Sequence, residues 1–198
     1  MTLAEKKMKK MQKELINAKG APLYKYRIKN NYMPVVGAGD CNAHIMIVGE
    51  APGKNEALSG KPFCGRTGNI LDELLESISL DRESVYITNI LKDRPQKNRD
   101  PTEGEIAWYA PYLDKQIEII APHVIVTLGR FSMKYLFERY GVQTDIKEIS
   151  NLHGSVHVAT INNREVKIVA LYHPAASIYN QKLKTVLQED FQILKQFI

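Results

Sequence analysis

Apolar and polar positions along this chain follow two rhythms. Short, largely apolar runs at residues 44–48, 85–89 and 124–128, followed by glycine-rich or polar stretches, have the pattern of strands buried on both faces. Between them the apolar positions recur every three or four residues. Ile70, Leu71, Leu74, Leu75 and Ile78 predict a helix over 69–78. Thr102, as N-cap with Glu103 and Glu105 in the first turn, opens another over 102–120, and Gly129 opens a third running to about residue 140. Runs at 156–160 and 166–171 flank Asn162-Asn163, a hairpin turn. A last helix is expected over 182–197 and a first over 3–18, the latter with Met8, Met11 and Leu15 on one face. Residues 21–43, broken by Pro22, Asn30-Asn31, Pro34 and Gly37-Ala-Gly39, read as irregular.

Strands alternating with helices predict an α/β fold. The expectation is one three-layer α/β/α domain over residues 1–198, with a central, mostly parallel sheet of about four strands. In such sheets chemistry collects in the crevice at the carboxyl ends of the strands. Glu50 follows the first strand, within Gly49-Glu-Ala-Pro-Gly53, and His173 follows the last, within His173-Pro-Ala-Ala176. If those strands are parallel neighbours, the acid and the histidine share one pocket.

Composition narrows the setting. No apolar stretch approaches a membrane span, and the N-terminus lacks the apolar core of a signal peptide. Two cysteines, Cys41 and Cys64, argue against a disulfide framework and against a four-cysteine metal site, and favour a reducing, cytoplasmic setting. The net charge of +5 is unevenly spread. Residues 1–30 carry nine Lys and Arg against Glu5 and Glu14, so the first 20 residues read as a basic helix. Such a stripe suits a polyanion such as nucleic acid; a solvated helix face is the blander alternative.

The loops after the strands hold the candidate chemistry. Residues 49–68 contain five glycines, which allow close backbone approach to a ligand or simply make turns. They match neither a Walker loop nor a dinucleotide fingerprint. Phe63, inside a polar loop, either stacks on a planar ring or plugs the loop. Asn89, at a strand end, either reads a base edge with its amide or caps a turn. His173 is either an electrophile or acid, or a structural histidine.

Five ordered motifs together are specific where each alone is not. They are Gly49-Glu-Ala-Pro-Gly53 with Glu56, then Gly60-Lys-Pro-Phe-Cys-Gly-Arg-Thr-Gly68. Tyr86-Ile-Thr-Asn89 follows, with Lys92, Arg94-Pro95 and Asn98-Arg99-Asp-Pro101. Pro111-Tyr-Leu113, Gln116-Ile117, Ile120-Ala-Pro122 and Leu128-Gly129 come next, and His173-Pro-Ala-Ala176 closes the set. Over residues 37–195 the chain resembles the family-4 uracil-DNA glycosylases. The resemblance implies a monofunctional DNA-repair hydrolase that flips uracil out of DNA and breaks its N-glycosidic bond. It implies Glu50 at the attacking water and the sugar, and His173 at uracil O2, as catalytic residues. Phe63 would stack on the base and Asn89 would read its edge, while Gly49, Ala51, Pro52 and Gly53 close the pocket. DNA-facing positions fall on Lys61, Arg66, Gly68, Arg94, Arg99, Pro174 and Ala175, with Ile178 or Tyr179 as the wedge in the minor groove. The partner is uracil-containing DNA, met by a monomer and not at a membrane.

The chain departs from that family at its iron–sulfur cluster. Cysteines are expected as a Cys-x-x-Cys pair near residues 23–27, at Asp93 and at Tyr109, and none is present. The expectation is therefore no cofactor and no metal, with Tyr24 or Tyr26, Asp93 and Tyr109 filling the space. A second departure is Ala57, where the family usually has an acid. These departures keep one alternative open: a catalytically weak or inactive paralogue that binds DNA or uracil-like bases without cleavage.

Overall fold

The structure, a computed structural model, describes residues 1–144, 148–178 and 180–198. Four strands form its parallel centre: β2 (Ile45–Gly49), β3 (Tyr86–Asn89), β4 (Val124–Leu128) and β6 (Arg164–Leu171). Two antiparallel strands, β1 (Ala38–Gly39) and β5 (Ser155–Ile161), lie at the edges, giving the order β1-β3-β2-β4-β6-β5. The four-stranded expectation thus describes the parallel block, and the sheet as a whole has six strands. The β5–β6 hairpin turns through Asn162 and Asn163, both left-handed, the turn that matches the natural twist of two strands.

Alternation along the strands sends side chains to two separate cores. Met46, Ile125 and Ile168 face one layer, packed with Met8 and Leu15 of α1 (Leu3–Asn17), Leu113 and Ile117 of α5 (Glu103–Ile120) and Leu136 of α6 (Arg130–Arg139). Ile47, Val126 and Val169 face the other, with Leu71 and Leu75 of α4 (Arg66–Ser77) and Leu187 and Phe191 of α8 (Gln181–Phe191). Every residue of β2 and β4 is buried, which explains why their sequences are apolar but for Thr127, whose hydroxyl donates to the Val169 carbonyl. Capping boxes start α1 at Thr2 and Glu5, and α5 at Thr102 and Glu105.

Three segments differ from expectation. The irregular stretch 21–43 holds a short helix, α2 (Tyr24–Lys29), and the edge strand β1. The glycine-rich loop holds α3 (Lys54–Ser59), and α4 begins at Arg66 rather than residue 69. The last helix ends at Phe191 and tightens into a 3-10 turn to Phe197. A four-residue helix, α7 (Ile149–Leu152), precedes β5.

Candidate active site

Strands β2 and β6 are not neighbours, because β4 runs between them. Glu50 and His173 meet nonetheless in one cavity of about 370 Å³ at the carboxyl ends of the strands. β4 leaves room by ending on Gly129, whose φ is +95°. A Cβ there would sit 3.1 Å from the His173 Cβ. The Gly129 N–H donates to the Leu171 carbonyl at 2.8 Å, tying the β4 end to the strand that delivers His173.

The cavity wall is built from loops after four elements. Glu50, Ala51, Pro52, Gly53 and Glu56 come after β2, Phe63 and Thr67 from the next loop and α4, Asn89 from β3, and His173 and Ala175 from beyond β6. Gly49 lies beneath them, paired in register with Asn89. Its missing side chain matters, since a Cβ would fall 2.4 Å from the Asn89 Oδ1 and 2.8 Å from the Phe63 ring. Asn89 is 2% exposed, and its side-chain amide has no hydrogen-bond partner among the described residues. The amide reaches the cavity, so its donor and acceptor are both available to a ligand's polar edge.

His173 opens to the cavity on one side and is otherwise enclosed. Burial pushes its pKa down to about 4, so the ring is neutral at physiological pH. The Ala175 N–H donates to its Nδ1 at 3.2 Å, which leaves Nε2 to carry the proton as a donor. Its ring stacks on Phe63 at 5.7 Å between centroids. Glu50 behaves in the opposite sense. Burial first, then the nearby Asp100, raises its pKa to about 7, and Arg130 opposes them. The pocket therefore pairs a neutral donor with a carboxylate poised near neutral pH.

Phe63 holds a left-handed φ of +47°, a conformation a bulky side chain rarely adopts. Two features enforce it. Arg82 donates from Nη2 to the Pro62 and Phe63 carbonyls at 2.9 and 3.0 Å while paired with Asp72. Gly68 packs beneath, where a Cβ would fall 1.9 Å from the Phe63 carbonyl oxygen. The Glu56 carboxylate accepts from the Cys64 and Gly65 N–H groups, both at 3.2 Å, pinning this loop to α3 just ahead of α4.

Several expected DNA-facing residues do other work. Gly68 is buried under Phe63 and Pro174 is buried too, so neither presents a surface. Arg94 is spent on the Asn98 side chain and the Tyr32 hydroxyl, both at 2.7 Å. Arg99 lines the cavity rim but grips Glu105 with both guanidinium arms. Lys61 and Arg66 are exposed beside the mouth's loop, and Ile178 is half-buried at the end of the 3-10 turn after His173. Tyr179 lies outside the described residues. Sequence reasoning missed Arg82 and Gly129. Arg82 carried no local signal, because its partners lie 10 to 20 residues away; Gly129 was read as a helix start and a motif position, without its part in making room for His173.

The cysteine-free region has its own construction. Arg27, 2% exposed, donates from Nη1 to both Asp93 oxygens at 3.0 and 2.9 Å, and from Nη2 to the Leu15 and Ile16 carbonyls. The Tyr109 hydroxyl donates to Asp93 Oδ2 at 2.6 Å, and Tyr24 lies against the Arg27 guanidinium. Tyr26 instead packs edge-on to Tyr32. Iron–sulfur clusters are held by thiolates. Here a buried ion pair with a tyrosine bonded to it occupies the positions, Cys41 and Cys64 lie elsewhere, and among the described residues no His, Cys, Asp or Glu group is placed to hold a metal ion. The residues do not fit a cluster.

Comparison with known proteins places this geometry. A family model described as the uracil DNA glycosylase superfamily matches residues 36–195, and the chain belongs to that superfamily. Within it the chain is family-4-like. It is 42% identical over 190 residues to the type-4 uracil-DNA glycosylase of Sulfurisphaera tokodaii, covering 96% of this chain and 84% of that protein. It is 43% identical over 180 residues to the type-4 enzyme of Archaeoglobus fulgidus, covering 91% and 87%. A type-5 uracil-DNA glycosylase of Pyrobaculum aerophilum is more distant, at 30% over 168 residues.

Proposed function

We propose that this chain excises uracil from DNA as a monofunctional glycosylase, with the roles divided among four side chains. The observation that carries this reading is the Asn89 amide, open to the same cavity as a neutral His173 and a half-ionised Glu50 and engaged by no protein group among the described residues. Cleaving the N-glycosidic bond sends its electron pair onto uracil N1 and leaves cationic character on the sugar. Water adds its oxygen to C1′, and its proton ends on the departing base. Ionised Glu50 orients that water and stabilises the sugar cation. His173 Nε2–H donates to uracil O2, where the negative charge grows, a preorganised donor that avoids reorganisation during the reaction. Asn89 reads the Watson–Crick edge, and Phe63 packs on the flipped base.

The cavity is lined by residues of one chain, which supports action as a monomer. No helix is long and apolar enough to cross a membrane among the described residues. The thiols of Cys41 and Cys64 are both free, in keeping with a reducing, cytoplasmic compartment. Lys61 and Arg66 are the surface cations proposed to meet phosphates near the mouth, and Ile178 is proposed as the wedge.

A labelled uracil-containing oligonucleotide, incubated with the protein and then treated with alkali, tests this. Strand breaks at the uracil position are expected. No break above control, in single or double strands, would leave only a DNA-binding role.

A further inference from the structure

The pocket's chemistry, on the reading above, creates an anion beside a carboxylate. His173 is neutral and offers a hydrogen bond but no charge. The rim guanidinium of Arg99 is neutralised by Glu105. Among the described residues one buried cation has no acidic partner: Lys92, fully buried three residues after Asn89.

Its surroundings specify its proton count. Lys92 Nζ lies 2.6 Å from the Asn89 carbonyl, 2.6 Å from Gln116 Oε1 and 2.8 Å from Thr88 Oγ1. The Thr88 hydroxyl proton goes to the Val36 carbonyl at 2.6 Å. The Gln116 amide donates to the same carbonyl at 2.8 Å and to the Tyr86 hydroxyl at 3.2 Å. All three neighbours therefore turn lone pairs toward Nζ. Three acceptors require three N–H donors, which is an ammonium and not an amine. Burial pulls the other way and lowers the pKa well below the ordinary lysine range. The nearby Asp93 offers no counter-charge, being taken by Arg27 and Tyr109.

We propose that Lys92 is a positioning residue whose ammonium clamps the backbone of Asn89 and places an uncompensated positive charge behind the base site, stabilising the departing uracil anion. It touches no substrate atom. It acts through the Asn89 peptide and through its field, which the dry surroundings leave unscreened. The wall that reads the base would thus also lower the energy of the leaving group.

The test compares excision of uracil with excision of 5-fluorouracil, whose electron-withdrawing fluorine makes it a better leaving group. Single-turnover rates are taken for both bases in the same DNA, for the wild type, Lys92→Met and Gln116→Glu. The ratio of the two rates does not depend on how much of a preparation is folded. Gln116→Glu keeps Lys92 and its hydrogen bond while setting a carboxylate against the ammonium, so the charge is cancelled and the lysine stays placed. In both variants the uracil rate should fall more than the 5-fluorouracil rate, raising the ratio roughly tenfold. An unchanged ratio in Gln116→Glu, with uracil still excised by the wild type, overturns this role alone. A wild type that excises neither base overturns it together with the proposed function.

Discussion

Two regions of this molecule stand one residue apart and have been treated oppositely. At the pocket, every residue type expected for uracil excision is present and converges: Glu50, Phe63, Asn89 and His173. At the junction of α1, α2 and α5, each expected cluster ligand is gone, and an arginine, an aspartate and a tyrosine hold the same elements together. The loop after β3 joins the two. Asn89 and Lys92 serve the pocket side, and Asp93 serves the staple. What a structural cluster supplies is cross-linking, which side chains of other kinds can replace. What the pocket supplies is charge at one bond, and few side chains can replace that. The comparison predicts that the two regions fail differently.

The largest effect is expected from breaking the staple. Asp93→Ala leaves the Arg27 guanidinium buried without its carboxylate, and losing one partner of a buried pair costs about 3–5 kcal/mol. Chemical denaturation should show this loss, while excision per folded molecule at low temperature stays near the wild-type rate. Replacing the whole triad, as Arg27→Met with Asp93→Leu and Tyr109→Phe, should recover most of the stability, because removing both charges also removes their desolvation cost. If Asp93→Ala instead abolished excision in protein that remains folded, the two regions would not be separable.

Next comes His173→Ala. Losing one preorganised donor to a developing anion costs about 10²–10³-fold in rate. Single-turnover excision should fall by that factor, with the thermal midpoint close to wild type. A loss under tenfold would contradict the assignment of Nε2–H to the leaving group.

The pH profile sharpens the contrast further. Glu50 must be ionised to act, and its pKa is raised to about 7, so kcat/KM should climb as pH rises through about 7 and then level. His173, with its pKa lowered to about 4, should add no inflection above pH 5. Glu50→Gln should be slow and flat across the range. Stability runs the other way. A carboxyl whose folded pKa exceeds its unfolded one binds more protons when folded, so wild-type stability falls as pH rises from about 4.5 to 7. Glu50→Gln should therefore match the wild type at pH 4 and exceed it at pH 8, by about 1–2 kcal/mol once its partial exposure is discounted.

The same contrast explains what the sequence made legible. Strands β2 and β4 and the second half of β6 are buried on both sides, so each wrote itself as a largely apolar run, and the ends of β2 and β6 pointed to Glu50 and His173. Asn162-Asn163 announced the hairpin because both positions need left-handed backbone. Strand β1 left no trace, since two residues of Ala and Gly carry no period. The order of strands was also hidden, and with it the role of Gly129 as the gap between non-adjacent strands. In the staple, the positions of Asp93 and Tyr109 were legible as places where cysteines were missing. Arg27 was not, because its partner is 66 residues away and a six-residue helix with no apolar rhythm conceals which side chain turns inward. Lys61, Arg66, Arg94 and Arg99 looked alike in sequence, and only burial and pairing separate the free cations from those bound to Tyr32 or Glu105.

The smallest expected effect lies where pocket and scaffold meet, at Arg82. This side chain does not line the cavity, yet it donates to the two carbonyls that flank the Phe63 Cα. Left-handed backbone costs a side-chain-bearing residue about 1–2 kcal/mol, and those two bonds help hold Phe63 there. Without them the loop can relax, and the ring spends less of its time positioned to receive a base. The loss falls on binding rather than on the bond-breaking step, because Glu50 and His173 are held by other elements. Arg82→Ala should therefore raise KM about three- to tenfold with kcat nearly unchanged. Asp72→Ala, which frees the guanidinium from its carboxylate but leaves both carbonyl bonds available, should do the same more weakly. A fall in kcat with KM unchanged would mean that the Phe63 loop takes part in the chemical step, and the pocket would then depend on its scaffold more closely than the staple comparison allows.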